Sequence, residues 1–197
     1  MSRTATIERR TAETQVSLTL DLDGRGAHTI DTPVPFLTHM LTQIARHGSM
    51  DLAIAAKGDT HIDDHHTVED IGLCLGGACR QALGDRRGIE RFGSARAPLD
   101  EALVEVTIDL SGRPYLVYAV DVPKAKLGTF DIELVKEFYQ AFAVQAACNV
   151  HVRMISGQNL HHIVEASFKA FALALRAATR VTRPVDVVPS TKEHLDG

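Results

Sequence analysis

With 197 residues, 45% of them hydrophobic and 23% charged, the chain has ordinary globular composition, enough for one sizeable domain or two small fused ones. A formal net charge of −4 leaves no basic excess for general binding to nucleic acid or to an anionic membrane, so any anionic ligand must be held by a local basic cluster. Cys74, Cys79 and Cys148 are odd in number and lie in apolar runs, which favours buried free thiols over a disulfide framework. The opening MSRTATIERR lacks an apolar core and no window approaches a membrane span, so the chain reads as cytoplasmic.

In chain order, alternating patterns predict strands in ATIERR, VSLTLDL and AHTID, a helix over VPFLTHMLTQIARHG, a strand in MDLAIAAKG, and a helix from Asp64 to about Leu83. The second half repeats that order with LVEVTIDL, PYLVYAV, a helix DIELVKEFYQAFAVQAA, a strand CNVHVRMI and a helix from about His161 to Thr179. The join is expected near GIERFGSARAP, residues 88–98, where Gly and Pro punctuate a polar segment. This divides the chain into a first half over 1–92, a second over 93–183 and a tail over 184–197, expected to pack as one body because no low-complexity linker separates them.

Each half carries His-His-x-x-Glu at the start of its last helix: His65, His66 and Glu69, then His161, His162 and Glu165. Charged and imidazole groups ahead of a core-bound apolar run cost desolvation unless something pairs with them. Asp64 and Asn159 could cap their helices, but caps explain neither the paired imidazoles nor the carboxylate one turn later. A metal ion explains both. Helix geometry pairs His66 with Glu69 and His162 with Glu165, leaving His65 and His161 divergent, so a pseudo-twofold relation predicts one site from His66, Glu69 and His161 and another from His162, Glu165 and His65. His39 is a further candidate ligand, and aligning the preceding helices sets it opposite Glu137. Imidazoles with a carboxylate suit Mn, Fe, Co, Ni or Zn better than Ca or Mg.

The segments HIDDHHTVEDIG, GQNLHHIVEASFKAF, THMLTQIARHG, RRTAET, LDEALVEVTIDLSGRP and VPSTK together resemble imidazoleglycerol-phosphate dehydratase, a hydro-lyase of histidine biosynthesis, over nearly the whole chain. The resemblance implies an α+β fold of duplicated ribosomal-S5-domain-2-like halves, each a four-stranded sheet backed by helices. It also implies an assembly of 24 copies, with two Mn ions per subunit at sites shared between neighbours. One Mn is assigned to His39, His66, Glu69 and His161. The other goes to His65, His162, Glu165 and a position that is usually His in the family and is Glu137 here. The implied substrate is imidazole glycerol phosphate, with Arg91, Arg113, Ser190 and Lys192 at phosphate-binding positions and Glu13, His39, His47 and Lys169 also matching substrate-binding positions. Thr191 stands where a second Ser is common.

In that reaction no carbonyl acidifies the C–H bond, so the electrons that expel the hydroxyl come from the imidazole ring, which two Lewis acids favour as imidazolate. Glu13 is the candidate acid/base, with water on a metal as its competitor. The catalytic set implied is Glu13, His65, His66, Glu69, His161, His162 and Glu165. Two rivals use the same ligands: a binuclear hydrolase, which would release inorganic phosphate, and a metal-storage protein, which would not need the basic cluster.

Overall fold

In the computed structural model, which describes residues 3–195, β1 (Thr4–Arg10), β2 (Thr14–Asp21), β3 (His28–Asp31) and β4 (Asp51–Gly58) form one sheet in the order β1-β2-β4-β3. A second sheet takes β5 (Phe92–Leu99), β6 (Ala102–Asp109), β7 (Tyr115–Ala119) and β10 (Asn149–Ser156) in the matching order β5-β6-β10-β7. In each sheet the last two strands are parallel, β3 with β4 and β7 with β10, and the other neighbours antiparallel. A helix joins each parallel pair: α1 (Pro35–Gly48) in the first half and α3 (Leu134–Ala146) in the second. The expected α+β fold of two four-stranded halves backed by helices is therefore met.

Period-2 alternation decides which face of each sheet is covered. Val16, Leu18 and Leu20 on β2, and Val104, Val106 and Ile108 on β6, point inward and are essentially fully buried. The last helices, α2 (His65–Leu83) and α4 (Leu160–Thr179), lie on these faces, α2 against β1 and β2, α4 against β5 and β6. The halves then meet helix to helix, α1 against α4 and α2 against α3. Close approach at the second contact has a sequence cause. A Cβ at Gly72 would lie 2.8 Å from the carbonyl oxygen of Phe138, and one at Gly76 only 2.5 Å from that of Phe142. Two glycines one turn apart thus let the α3 backbone rest on α2. Phe138, Tyr139 and Phe142 of α3 fill the interior with Phe168 and Phe171 of α4, with ring centroids 4.9–5.3 Å apart across the two helices; such pairs each add about 0.5–1.5 kcal/mol beyond area burial.

The structure corrects the reading of two segments. Residues 92–99, taken as a polar join, form β5, whose inward alternation rests on Gly93, Ala95 and Ala97 rather than on large side chains. A short hairpin of β8 (Lys126–Leu127) and β9 (Phe130–Asp131) precedes α3. All three cysteines are buried and unpaired, and burial pushes the Cys74 and Cys79 thiols up to about 11 and about 12. Among the described residues no helix is long and apolar enough to cross a membrane.

Candidate metal and substrate site

The start of α4 is set by Asn159, whose side-chain oxygen accepts from the backbone N–H groups of His161 and His162 at 2.9 and 3.3 Å. Both imidazoles therefore sit in the first turn. At the start of α2 the equivalent bond comes from Asp63, at 2.8 Å to the His65 N–H, and not from Asp64, which makes no side-chain cap. Phe36 stands edge-on to His161, with centroids 5.3 Å apart.

On α4 it is His161, not His162, that faces Glu165. His161 Nε2 lies 3.1 Å from Glu165 Oε2, and His39 Nε2 from α1 reaches the same oxygen at 3.1 Å. Donor atoms of His39, His161 and Glu165 all lie within 4.8 Å of one another. On α2 the same spacing brings His65 Nε2 to 3.7 Å from Glu69 Oε2. The expected pairing of His66 with Glu69 and His162 with Glu165 is therefore corrected. Four helical positions return to within about 40° of the starting direction and three only to within about 60°, so the first imidazole of each doublet shares the glutamate's face. His39 likewise groups with Glu165, not with His66 and Glu69, because α1 packs on α4 and not on α2.

Glu137, in the first turn of α3, shares a cleft of about 430 Å³ with His65, Asp63, Asp64, Glu133 and Lys126 of the hairpin. This follows from α3 lying on α2, and it makes Glu137 the counterpart of His39 in space as well as in the repeat. The second imidazole of each doublet points elsewhere. His66 Nδ1 meets Asp59 at 3.0 Å, and its Nε2 lies 3.8 Å from Glu13 Oε1. His162 Nδ1 meets Glu101 Oε2 at 2.8 Å, and its Nε2 lies 4.0 Å from Asp100 Oδ2. The turn carrying Glu13 is anchored by buried Asp70 of α2, which accepts from Thr14 Oγ1 and, at 2.8 Å, from Arg9 Nε.

The neighbours of Glu165 hold it ionised. Burial pulls its carboxyl up, but hydrogen bonds from Lys169, His39 and His161 outweigh burial and hold it down at about 2. Lys169 Nζ lies 2.7 Å from Glu165 Oε1, so here it neutralises the carboxylate rather than standing free for an anion. His47, bonded through Nε2 to Gln43 Oε1 at 3.1 Å, is drawn below the usual imidazole range by burial and then by Lys169.

The anion-binding candidates lie at the other end of the molecule. Arg91, at a left-handed φ of 74°, forks onto Asp109 at 2.7 and 3.2 Å and donates through Nη1 to the Pro189 carbonyl at 2.8 Å, which brings Ser190 and Lys192 beside it. Exposed Arg113 follows in the turn after β6, its carbonyl held by Asn149 Nδ2 at 2.7 Å. The Arg91 N–H bonds the carbonyl of Ala178, near the C-terminal end of α4. At 1.5 Å per residue that end lies about 24 Å from the His162 turn. One chain therefore unites His39, His161 and Glu165, pairs His65 with Glu69 and sets Glu137 in the cleft beside His65, and keeps the α4 group far from Arg91. Sequence reasoning overlooked Asp59 and Glu101. The available signal for Glu101 was register, since it stands immediately before β6 as Glu13 stands before β2.

A sequence profile of the family described as imidazoleglycerol-phosphate dehydratase matches residues 32–175. Relatives of that name include one from Trichlorobacter lovleyi, 57% identical with 98% of each chain covered, and one from Geobacter sulfurreducens, 56% identical over 99% of this chain and 100% of the relative. Solved structures agree: the imidazoleglycerol-phosphate dehydratase of Staphylococcus aureus superposes with a TM-score of 0.82 at 39% identity over 91% of this chain and 99% of that one. The Pyrococcus furiosus IGPD in complex with (S)-C348 gives 0.84, also at 39% identity, over 96% of this chain and 100% of its own. This chain belongs to the imidazoleglycerol-phosphate dehydratase family, hydro-lyases of histidine biosynthesis.

Proposed function

We propose that the chain dehydrates imidazole glycerol phosphate to imidazole-acetol phosphate with two divalent first-row metal ions, Mn(II) the first choice. The observation that carries the reading is the convergence of His39, His161 and Glu165, two imidazoles and a deprotonated carboxylate within ligating reach of one another. That donor chemistry fits Mn(II), Fe(II), Co(II) or Zn(II) and not an all-oxygen Ca(II) site. On this reading one ion is held by His39, His161 and Glu165, and the other by His65, Glu69 and Glu137. His66 and His162, turned away from both groups, complete the sites of neighbouring subunits. Such ions would supply Lewis acidity toward the imidazole ring of the substrate.

The separation between the metal groups and Arg91 supports a shared site. The three-carbon chain between ring and phosphate is far shorter than the span of α4, so ring and phosphate would be held by different chains of an oligomer, with 24 copies the family expectation. Arg91, Arg113, Ser190 and Lys192 surround the phosphate; the Arg91 fork is already engaged by Asp109, so exposed Arg113 and Lys192 supply the free positive charge that suits a dianion. Glu13, exposed at its turn and beside His66 Nε2, takes the proton from the hydroxyl-bearing carbon adjacent to the one that loses its hydroxyl, which leaves as water; the resulting enol becomes the ketone. The buried free thiols suit a reducing, cytoplasmic setting.

The test is turnover of imidazole glycerol phosphate by chelator-treated protein before and after addition of Mn(II). Formation of imidazole-acetol phosphate only with metal supports the reading. Release of inorganic phosphate would support the binuclear hydrolase instead, and metal-independent turnover would refute the role given to the ions.

A further inference from the structure

We infer that Glu101 is a positioning residue that fixes the tautomer of His162, so that its Nε2 lone pair is turned outward for a metal ion. The inference rests on the reading above, in which His162 completes a neighbour's site. Glu101 belongs to the β5–β6 turn, and both of its oxygens are committed. Oε1 accepts the backbone N–H groups of Gln158 and Asn159 at 3.1 and 2.8 Å, while Oε2 faces His162 Nδ1 at 2.8 Å. An ionised carboxylate only accepts hydrogen bonds, so the third contact requires a proton on Nδ1. The neutral ring then carries its lone pair on Nε2.

The other doublet makes the same contact by different means. His66 Nδ1 is met by both oxygens of Asp59, at 3.3 and 3.0 Å. Asp59 follows β4, directly after Gly58; the residue in that place after β10, following Gly157, is Gln158, which has no carboxylate. Glu101 fills the role from another turn. A contact that recurs although the residue making it does not is no passive leftover of duplication, and a carboxylate on the remote nitrogen is how ligating imidazoles are commonly oriented.

The geometry supplies a nearly isosteric test. In Glu101→Gln the amide oxygen keeps the two backbone donors, which leaves the NH₂ group facing His162 Nδ1. That group can only donate, so the ring must move its proton to Nε2 and lose the outward lone pair. The measurement is Mn(II) and Co(II) affinity of the assembled protein against a competing chelator, with no turnover involved. His162→Ala defines complete loss of the site.

Glu101→Gln should weaken one of the two ions by about ten- to a hundredfold, the usual effect of removing such a partner, and leave the other ion and Tm unchanged. In ¹⁵N-histidine NMR of the metal-free protein, the proton of His162 should move from Nδ1 to Nε2. Both affinities within twofold of wild type, while His162→Ala loses one ion, would overturn the inference and leave Glu101 a helix cap. A fall in Tm with loss of both ions would overturn it too, by marking a structural role. If His162→Ala itself retained both ions, the assignment of His162 as a ligand would fail, and the inference with it.

Discussion

The pairing of His161 with Glu165 can be measured as an energetic coupling. His39 and His161 each place a ring nitrogen 3.1 Å from one oxygen of Glu165, and the three donors lie within 4.8 Å, so a single ion would touch all of them. His162 is directed instead to Glu101. Groups that act on one ion couple by about 0.5–3 kcal/mol, and groups without a shared partner add to within about 0.5 kcal/mol. In a double-mutant cycle of His161→Ala with Glu165→Gln, read as Co(II) affinity against a chelator, the coupling should be about 1–3 kcal/mol, a factor of roughly 5 to 150. The same cycle with His162→Ala in place of His161→Ala should be additive to within about twofold. Each single variant should still bind one ion per chain with unchanged affinity, so the titration stays biphasic. A strong coupling of His162 with Glu165, and none of His161, would refute the geometry and restore the three-residue spacing.

Glu13→Gln should lower kcat by about 10² to 10⁴ with metal content unchanged, checked by steady-state kinetics beside elemental analysis; near-normal kcat would reduce Glu13 to a positioning role. Arg113→Ala should raise KM steeply with little change in metal content, since its guanidinium is exposed and takes no part in the metal groups. The thiols give a check on the core. All three are buried, so a thiol reagent at pH 8 should titrate none in the native protein and three in denaturant, and burial that raises a thiol pKa keeps the reactive thiolate scarce through that pH range. Gly93→Ala should lower Tm by several degrees, because its Cβ would stand 2.0 Å from the carbonyl oxygen of Ala174 in α4; overpacking of this kind costs about 1–3 kcal/mol.

What the sequence revealed, and what it concealed, follows from which signals are periodic. The repeated His-His-x-x-Glu and the alternation in VSLTLDL and LVEVTIDL were enough to place two equivalent halves, since each reports a buried face directly. β5 went unread because close packing of α4 on Gly93 demands a strand with a side of glycine and alanine, and FGSARAPL looks like a loop to any hydrophobicity count. The β8–β9 hairpin is too short to show a period at all. The residues that converge as His39, His161 and Glu165 could be picked out as candidate donors, but not their grouping. Choosing between His161 and His162 depends on some 20° of helical rotation and on which helix α1 chooses to cover, and the second is a tertiary fact. Asp59 and Glu101 were hidden for the same reason, being turn residues whose partners arrive from another element.

The helix-to-helix seam between the halves bears on how the two donor groups are free to differ. Each donor group straddles the seam, His39 of the first half meeting His161 and Glu165 of the second, and Glu137 of the second half sharing a cleft with His65 of the first. Were the halves separate identical chains, any change at the α1 or α3 position would alter both groups at once. Joined in one polypeptide, the two positions are independent letters. An imidazole can stay at residue 39 while a carboxylate occupies residue 137, and the two groups need not have the same charge or the same affinity for a cation.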